Sequence, residues 1–142
     1  MPSAAYEEQE MLHGQCHCGA SQFETPDAAV HSSVCYCTDC RKQSGAPLIA
    51  WAMFPEAAVA VQGEPIVYQS SQGGQRSFCG RCGSGLFFTN EPLRNMGMKQ
   101  VRIAAFDDPN AIAPSVQVQP AERVKWVETI PDLPSFDRFP NE

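Results

Sequence analysis

The chain consists of short apolar runs that proline and glycine interrupt at close intervals. Nine segments carry the β-branched and aromatic residues that strands favour; they are 15–23, 30–36, 48–54, 58–62, 66–70, 76–79, 86–89, 100–106 and 116–118. The 12 prolines and 10 glycines leave little room for long helices. The pattern therefore predicts a mostly β fold of many short strands.

One segment has the pattern of a short helix. Residues 38–44 begin with Thr38 and Asp39, which suit a helix N-terminus, and are followed by Gly45, which suits a helix end. The acidic residues 1–10 are predicted to form a poorly ordered tail, and residues 11–142 a single domain.

The C-terminal part contains two further apolar segments, 124–127 and 135–139. We interpret them as packing elements, in which Trp126, Phe136 and Phe139 cover an edge of the core.

Composition and charge exclude several classes of partner. The formal net charge is −6 with neutral cysteines, and nucleic-acid binding needs concentrated positive charge. No apolar run approaches the roughly 18 residues that a membrane span requires. The acidic N-terminus lacks the basic and apolar regions of a signal peptide, so we expect a cytoplasmic protein. In that reducing compartment cysteines bind metal more often than they form disulfides.

The seven cysteines occur as C-x-C, C-x-C-x2-C and C-x2-C; they are Cys16, Cys18, Cys35, Cys37, Cys40, Cys79 and Cys82. An odd number of cysteines cannot all form disulfide bonds within one chain. If C-x-C lies in an extended strand, its two thiols point to the same side and offer two ligands to one metal. Glycines beside Cys79 and Cys82 allow the tight turn of a zinc knuckle.

The spacing favours two unequal sites. Only Cys35, Cys37 and Cys40 are close enough to form a three-thiolate site by themselves, and three protein ligands leave one zinc position open. The other four, Cys16, Cys18, Cys79 and Cys82, complete a closed tetrahedral site. Two zinc ions per chain are expected. The alternatives for the three-cysteine group are a second structural zinc completed by His13, His17 or His31, an empty reduced cluster, or a Cys37–Cys40 redox pair.

These motifs resemble the glutathione-dependent formaldehyde-activating enzyme family, also called the centromere-protein-V family. The resemblance rests on Cys16-His17-Cys18-Gly19-Ala20, on Cys35-Tyr36-Cys37-Thr38-Asp39-Cys40-Arg41-Lys42-Gln43-Ser44-Gly45-Ala46, and on Phe78-Cys79-Gly80-Arg81-Cys82-Gly83-Ser84. It implies an Mss4-like fold of packed antiparallel sheets, with structural zinc on the four cysteines and catalytic zinc on Cys35, Cys37 and Cys40. It also implies a carbon–sulfur lyase that joins glutathione and formaldehyde reversibly.

The leading functional hypothesis is therefore a zinc-dependent carbon–sulfur lyase or thiol-adduct enzyme. Its partner would be a small thiol or thiol conjugate, for which Arg41, Lys42, Ser44 and Gly45 are candidate binding residues. Arg41, Lys42, Arg76 and Arg81 either receive ligand carboxylates or offset the charge of the thiolate sites. The alternatives are a non-catalytic, zinc-stabilised binding module and a thiol redox sensor that uses Cys37 and Cys40.

Overall fold

The structure is a computed structural model, and it describes residues 10–140. The predicted tail, residues 1–10, lies outside this range except for exposed Glu10. The strands are β1 (Met11–Gln15), β2 (Gln22–Pro26), β3 (His31–Cys35), β4 (Ile49–Pro55), β5 (Ala60–Gln62), β6 (Ile66–Ser71), β7 (Gly74–Phe78), β8 (Gly85–Thr89), β9 (Met98–Arg102) and β10 (Val116–Val118), and the helices are α1 (Thr38–Ser44) and α2 (Glu91–Asn95).

The strands form two sheets. A small sheet has the order β1-β2-β5, and a large sheet has the order β10-β3-β4-β9-β8-β7-β6. The strand pairs are antiparallel except that β10 runs parallel to β3. The prediction of a mostly β fold of antiparallel sheets with short helices is confirmed, and the parallel edge strand adds to it.

One face of the large sheet is packed against the core. Ala52, Val101 and Phe87 lie opposite one another on β4, β9 and β8, and each is almost fully buried. The small sheet covers this face through Phe23, whose ring meets Phe87 at 5.4 Å and Phe106 at 5.2 Å in edge-on contacts. Neighbouring residues along a strand point to opposite faces, so the residues that alternate with these line the other side.

The other face carries a mixed row of side chains. Arg76 pairs with Phe88, Phe88 with Gln100, Gln100 with Met53, and Met53 with His31. Directly paired residues share a face, so this row crosses five strands from β7 to β3. This face also carries Ser33, Cys35 and Trp51, which alternate with the core residues along β3 and β4.

The first predicted strand, 15–23, is wrong in its extent. The chain turns between β1 and β2, and Cys16 and Cys18 lie in this turn, not in an extended strand. The backbone of Cys16 donates to Ser21 O, and Gly19 has a positive φ of 81°. The C-x-C motif therefore brings its sulfurs together by a turn.

The short helix is where the sequence places it. Helix α1 spans Thr38–Ser44, and Gly45 ends it in the left-handed conformation at φ 70°. Its N-cap is Cys37, whose sulfur accepts from the Cys40 backbone N–H. In residues 10–140 no helix has both the length and the apolar character that a membrane crossing needs.

The interpretation of the C-terminal aromatics as core cover is wrong. Trp126, Phe136 and Phe139 are 57%, 61% and 76% exposed. The chain from Lys125 to Asp132 is a 3-10 helix without a buried residue. The contact with the rest of the domain comes just before this 3-10 helix, where the Glu122 carboxylate accepts hydrogen bonds from the backbone N–H and the hydroxyl of Thr38.

Candidate metal centres

Four cysteine sulfurs converge between the β1–β2 turn and the β7–β8 connection. All four, from Cys16, Cys18, Cys79 and Cys82, lie within 4.8 Å of one another. The Cys18 sulfur is 3.7 Å from that of Cys16 and 3.8 Å from that of Cys79. Four thiolates at about 2.3 Å from zinc have neighbouring sulfurs about 3.8 Å apart. The cluster therefore fits a closed tetrahedral zinc site.

Backbone and hydroxyl donors support this cluster. The N–H groups of Ser21 and Arg81 point to the sulfurs of Cys16 and Cys79 at 3.2 and 3.4 Å. The Ser84 hydroxyl accepts from the His17 backbone and lies 3.2 Å from the Cys82 sulfur. That contact with Ser84 is the main cause that lowers the pKa of Cys82 to about 5. Such outer contacts orient thiolate ligands around a metal.

The second cluster joins β3 to the start of α1. Cys35 ends β3, Cys37 caps α1 and Cys40 lies in its first turn, and their sulfurs lie within 4.8 Å of one another. Cys40 is buried, whereas Cys35 and Cys37 are partly exposed. Three sulfurs on one side of a cavity fit a zinc site with a position left for a further ligand. We call these three residues the tripod.

Charge is distributed unevenly over the tripod. A hydrogen bond from Cys35, opposed by burial and reinforced by Arg76, lowers the pKa of Cys40 to about 5. The same bond raises the pKa of Cys35, and burial raises that of Cys37. Arg76 Nη2 donates to the Cys40 sulfur at 3.6 Å. Cys35 and Arg76 thus both favour negative charge on the Cys40 sulfur.

A cavity of about 250 Å³ opens beside the tripod on the outer face of the large sheet. Trp51 and Phe88, whose ring centroids are 6.0 Å apart, supply its aromatic wall. The other lining residues are His31, Ser33, Cys35, Cys37, Asp39, Cys40, Ser71, Arg76, Gln100 and Val118. The three sulfurs thus face a space that accepts a small, partly apolar molecule.

The four candidate binding residues lie outside the lining of this cavity. Arg41, Lys42 and Gly45 line a separate surface pocket with Trp126. The Ser44 hydroxyl donates to the Cys40 carbonyl within α1, at 2.6 Å. Their assignment to a ligand stays a prediction, and their observed contacts are those of the helix and its C-terminal end.

The candidate arginines and histidines differ in whether they line the tripod cavity. Of the arginines considered from sequence, only Arg76 lines the tripod cavity in the described part of the chain, whereas Arg81 supports the four-cysteine cluster. Of the histidines, His31 lines the cavity, and His13 lies 3.3 Å from Glu24 on the small sheet.

Sequence reasoning missed the aromatic and amide lining of the site. Trp51, Phe88 and Gln100 lie on three different strands, 11, 48 and 60 residues after Cys40. The available signal was alternation along a strand, since Ser33 and Cys35 share one face of β3. Identifying the partners on β4, β8 and β9 requires the strand order, which the sequence pattern does not contain.

Comparison with known proteins places these features in a family. Residues 11–121 match the family model described as Glutathione-dependent formaldehyde-activating enzyme. A curated Halomonas elongata protein, provisionally named a glutathione-dependent formaldehyde-activating enzyme, is 34% identical over 86 residues. That alignment covers 54% of this chain and 55% of the relative, so the match spans about half of the relative's length.

A crystal structure of a Rhodobacter sphaeroides protein has the same fold, with a TM-score of 0.57 at 23% identity. It covers 75% of this chain and 99% of that one. The family resemblance of the cysteine motifs is confirmed by the family-model match over residues 11–121. The chain belongs to the glutathione-dependent formaldehyde-activating enzyme family.

Proposed function

We propose that the protein is a zinc-dependent carbon–sulfur lyase that forms and cleaves an adduct between a small thiol and an aldehyde. The single observation that carries this proposal is the tripod of three sulfurs facing a cavity of about 250 Å³. The family supports glutathione as the thiol and formaldehyde as the aldehyde. The four-cysteine cluster would hold a second, structural zinc.

The composition of the tripod favours a sulfur ligand. Three thiolates leave a bound zinc ion a poorer Lewis acid than three histidines would, so holding a soft sulfur is favoured over generating hydroxide. A zinc ion held there would lower the pKa of a thiol that joins it, so that the thiol binds as its thiolate.

The chain's own residues would shape and dry the site. Trp51 and Phe88 provide apolar walls beside the position that the reacting carbon would take. Arg76 contacts the Cys40 sulfur and offsets the negative charge that three thiolates leave on a zinc complex. Cys37 fixes the start of α1 by accepting from the Cys40 N–H, which holds two ligands in a set relation.

The test is Cys40→Ser. Because Cys40 belongs to the tripod and not to the four-cysteine cluster, the variant should keep the wild-type circular dichroism spectrum and lose turnover of glutathione with formaldehyde. Elemental analysis should give about two zinc ions per wild-type chain and about one in the variant. Ser44→Ala, which changes a hydroxyl on the same helix outside the cavity lining, is the matched control and should retain two zinc ions.

Three results would redirect the proposal. Full turnover by Cys40→Ser would remove the tripod from the reaction. One zinc per wild-type chain and no turnover would support a non-catalytic binding module, and a Cys37–Cys40 disulfide mapped after mild peroxide would support a redox sensor.

A further inference from the structure

One buried cation in the tripod cavity has hydrogen-bonding capacity that the described residues do not use. Arg76 is 4% exposed, and its Nη2 donates to the Cys40 sulfur. Its Nε and Nη1 atoms are buried without a partner in residues 10–140. Buried guanidinium N–H groups without a partner are costly, so this arrangement points to a ligand that completes them.

The position of Arg76 is fixed from two sides. The guanidinium lies over the Phe88 ring at 4.8 Å from its centroid, and Arg76 and Phe88 are directly paired on β7 and β8. The ring holds one flat face of the guanidinium, and the Cys40 sulfur holds one of its edges. The remaining N–H groups are therefore preorganised, since a guanidinium is planar and its donors have fixed directions.

A complementary group lies in the same cross-strand row. Gln100 lines the cavity beyond Phe88, and its Oε1 atom is also buried without a partner among the described residues. Two side chains that line the cavity thus carry unused hydrogen-bonding atoms: donors on Arg76 and an acceptor on Gln100. A hydroxyl group, which accepts and donates, satisfies both.

Neighbouring charges single out Arg76 among the arginines near the site. Arg102 lies over the Trp51 ring at 5.6 Å and donates to Gln43, and it is absent from the cavity lining. Asp39 is the carboxylate that lines the cavity, and it is exposed in the first turn of α1. Among the arginines, Arg76 is therefore the one that a negative charge developing inside the cavity would meet.

We propose that Arg76 binds the ligand oxygen carried on the carbon next to the sulfur, and stabilises that oxygen when it is negatively charged. This rests on the proposed function. When the thiolate sulfur uses an electron pair to form the C–S bond, the carbonyl π pair moves to oxygen and makes an alkoxide. The alkoxide then takes a proton from water, which replaces the proton that the thiol released to solvent on ionising, and the resulting hydroxyl donates to Gln100. The net reaction joins one thiol and one aldehyde without any oxidant.

The charge movement explains why an arginine suits this position. Addition transfers one negative charge from sulfur to oxygen and leaves the total charge of the site unchanged. Arg76 contacts a tripod sulfur and also lines the cavity. A single cation can therefore stabilise the negative charge on sulfur before addition and on oxygen after it. Preorganised donors of this type act mainly on the transition state.

The experiment combines turnover with a binding measurement that needs no reaction. Zinc-loaded protein is titrated calorimetrically with mercaptoacetate, whose carboxylate oxygen lies close to its sulfur, and with ethanethiol, which has no oxygen. Wild type should bind mercaptoacetate about tenfold more tightly or better, as a charge-assisted contact implies. Arg76→Met should lose this preference but keep the wild-type affinity for ethanethiol and the wild-type zinc content. Its kcat for glutathione with formaldehyde should fall by about 100-fold or more.

Two further variants serve as controls, one for the charge of Arg76 and one for its location. Arg76→Lys keeps the charge, but its compact ammonium cannot hold the Cys40 sulfur and a ligand oxygen in the same planar geometry, so the preference should fall. Arg102→Met removes a nearby half-buried arginine that is not part of the cavity lining and should keep the preference.

The contrary outcomes are distinct. Equal affinity of wild type for both thiols, an unchanged preference in either Arg76 variant, or an equal loss in Arg102→Met would overturn the assignment of Arg76. Loss of the tripod zinc in Arg76→Met would also overturn it, since the arginine would then only neutralise thiolates. If wild type does not turn over formaldehyde, the proposed reaction is refuted, but the comparison of the two thiols still tests whether Arg76 binds the ligand oxygen. If neither thiol binds, both the proposed function and the role of Arg76 are refuted.

Discussion

At the scale of single residues, the atoms packed around a glycine decide whether a larger side chain can replace it. Gly14 on β1 lies against the core aromatics, where an added Cβ would be 2.2 Å from the Phe23 ring and 2.7 Å from the Ala105 carbonyl oxygen. Gly80 differs, since an added Cβ would meet only the end of the half-exposed Ile66 side chain, at 2.5 Å. The same substitution should therefore have different costs at the two glycines.

We predict that Gly14→Ala lowers the free energy of unfolding by about 1–3 kcal/mol, because the carbonyl oxygen and the packed ring cannot move aside easily. Gly80→Ala is the matched control and should cost far less, since Ile66 can change rotamer. Urea unfolding of the zinc-loaded variants measures both values. Equal losses would show that the crowding at Gly14 is relieved by small backbone shifts.

At the scale of elements, α1 is positioned by its ends. Its N-terminus is capped by Cys37, and its last turn is closed by the Gly45 N–H, which donates to the Arg41 carbonyl. Gly45 has φ 70°, and no atom would lie within 4 Å of a Cβ added to it. The requirement for glycine there is therefore conformational, because the left-handed region disfavours most side chains.

We predict that Gly45→Ala destabilises the protein by about 1 kcal/mol, whereas Gly45→Asn, which tolerates the left-handed conformation, costs less. Both variants should retain wild-type kcat if Gly45 only ends the helix. Thermal unfolding and steady-state turnover together make the distinction. A large fall in kcat for Gly45→Asn at unchanged stability would give this residue a ligand contact.

At the scale of the whole molecule, the two clusters play different structural parts. Cys16 and Cys79 are 1% and 2% exposed and belong to the same buried cluster as Phe23 and Phe87. The tripod instead lies beside a cavity on the opposite face of the large sheet. A metal in the four-cysteine cluster would therefore stabilise the core, and a metal in the tripod would mainly organise α1.

We predict that Cys79→Ser is largely unfolded at 25 °C, whereas Cys35→Ser stays folded. Structural zinc contributes about 10–16 kcal/mol in small zinc peptides, as much as the whole stability of a typical domain. Near-ultraviolet circular dichroism of the two purified variants tests this directly. A folded Cys79→Ser protein with one zinc would mean that the aromatic core alone maintains the fold.

The sequence predicted what depends on local pattern. The strand-rich fold, the helix at 38–44 and the grouping of the cysteines follow from turn residues, alternation and spacing. The failures involve long-range packing: composition suggested that Trp126 and Phe136 cover an edge of the core, but in the fold they are 57% and 61% exposed. The role of Arg76 likewise depends on pairing with Phe88, which sequence spacing does not reveal.

The separation of the four-cysteine cluster along the chain has a consequence for synthesis. Cys18 and Cys79 are 61 residues apart, which a ribosome covers in about 3–12 s at 5–20 residues per second. The three tripod cysteines emerge within that interval, so they meet cellular metal and oxidants before the four-cysteine cluster can form. We expect zinc available during translation, more than zinc added afterwards, to determine how much correctly assembled protein a cell accumulates.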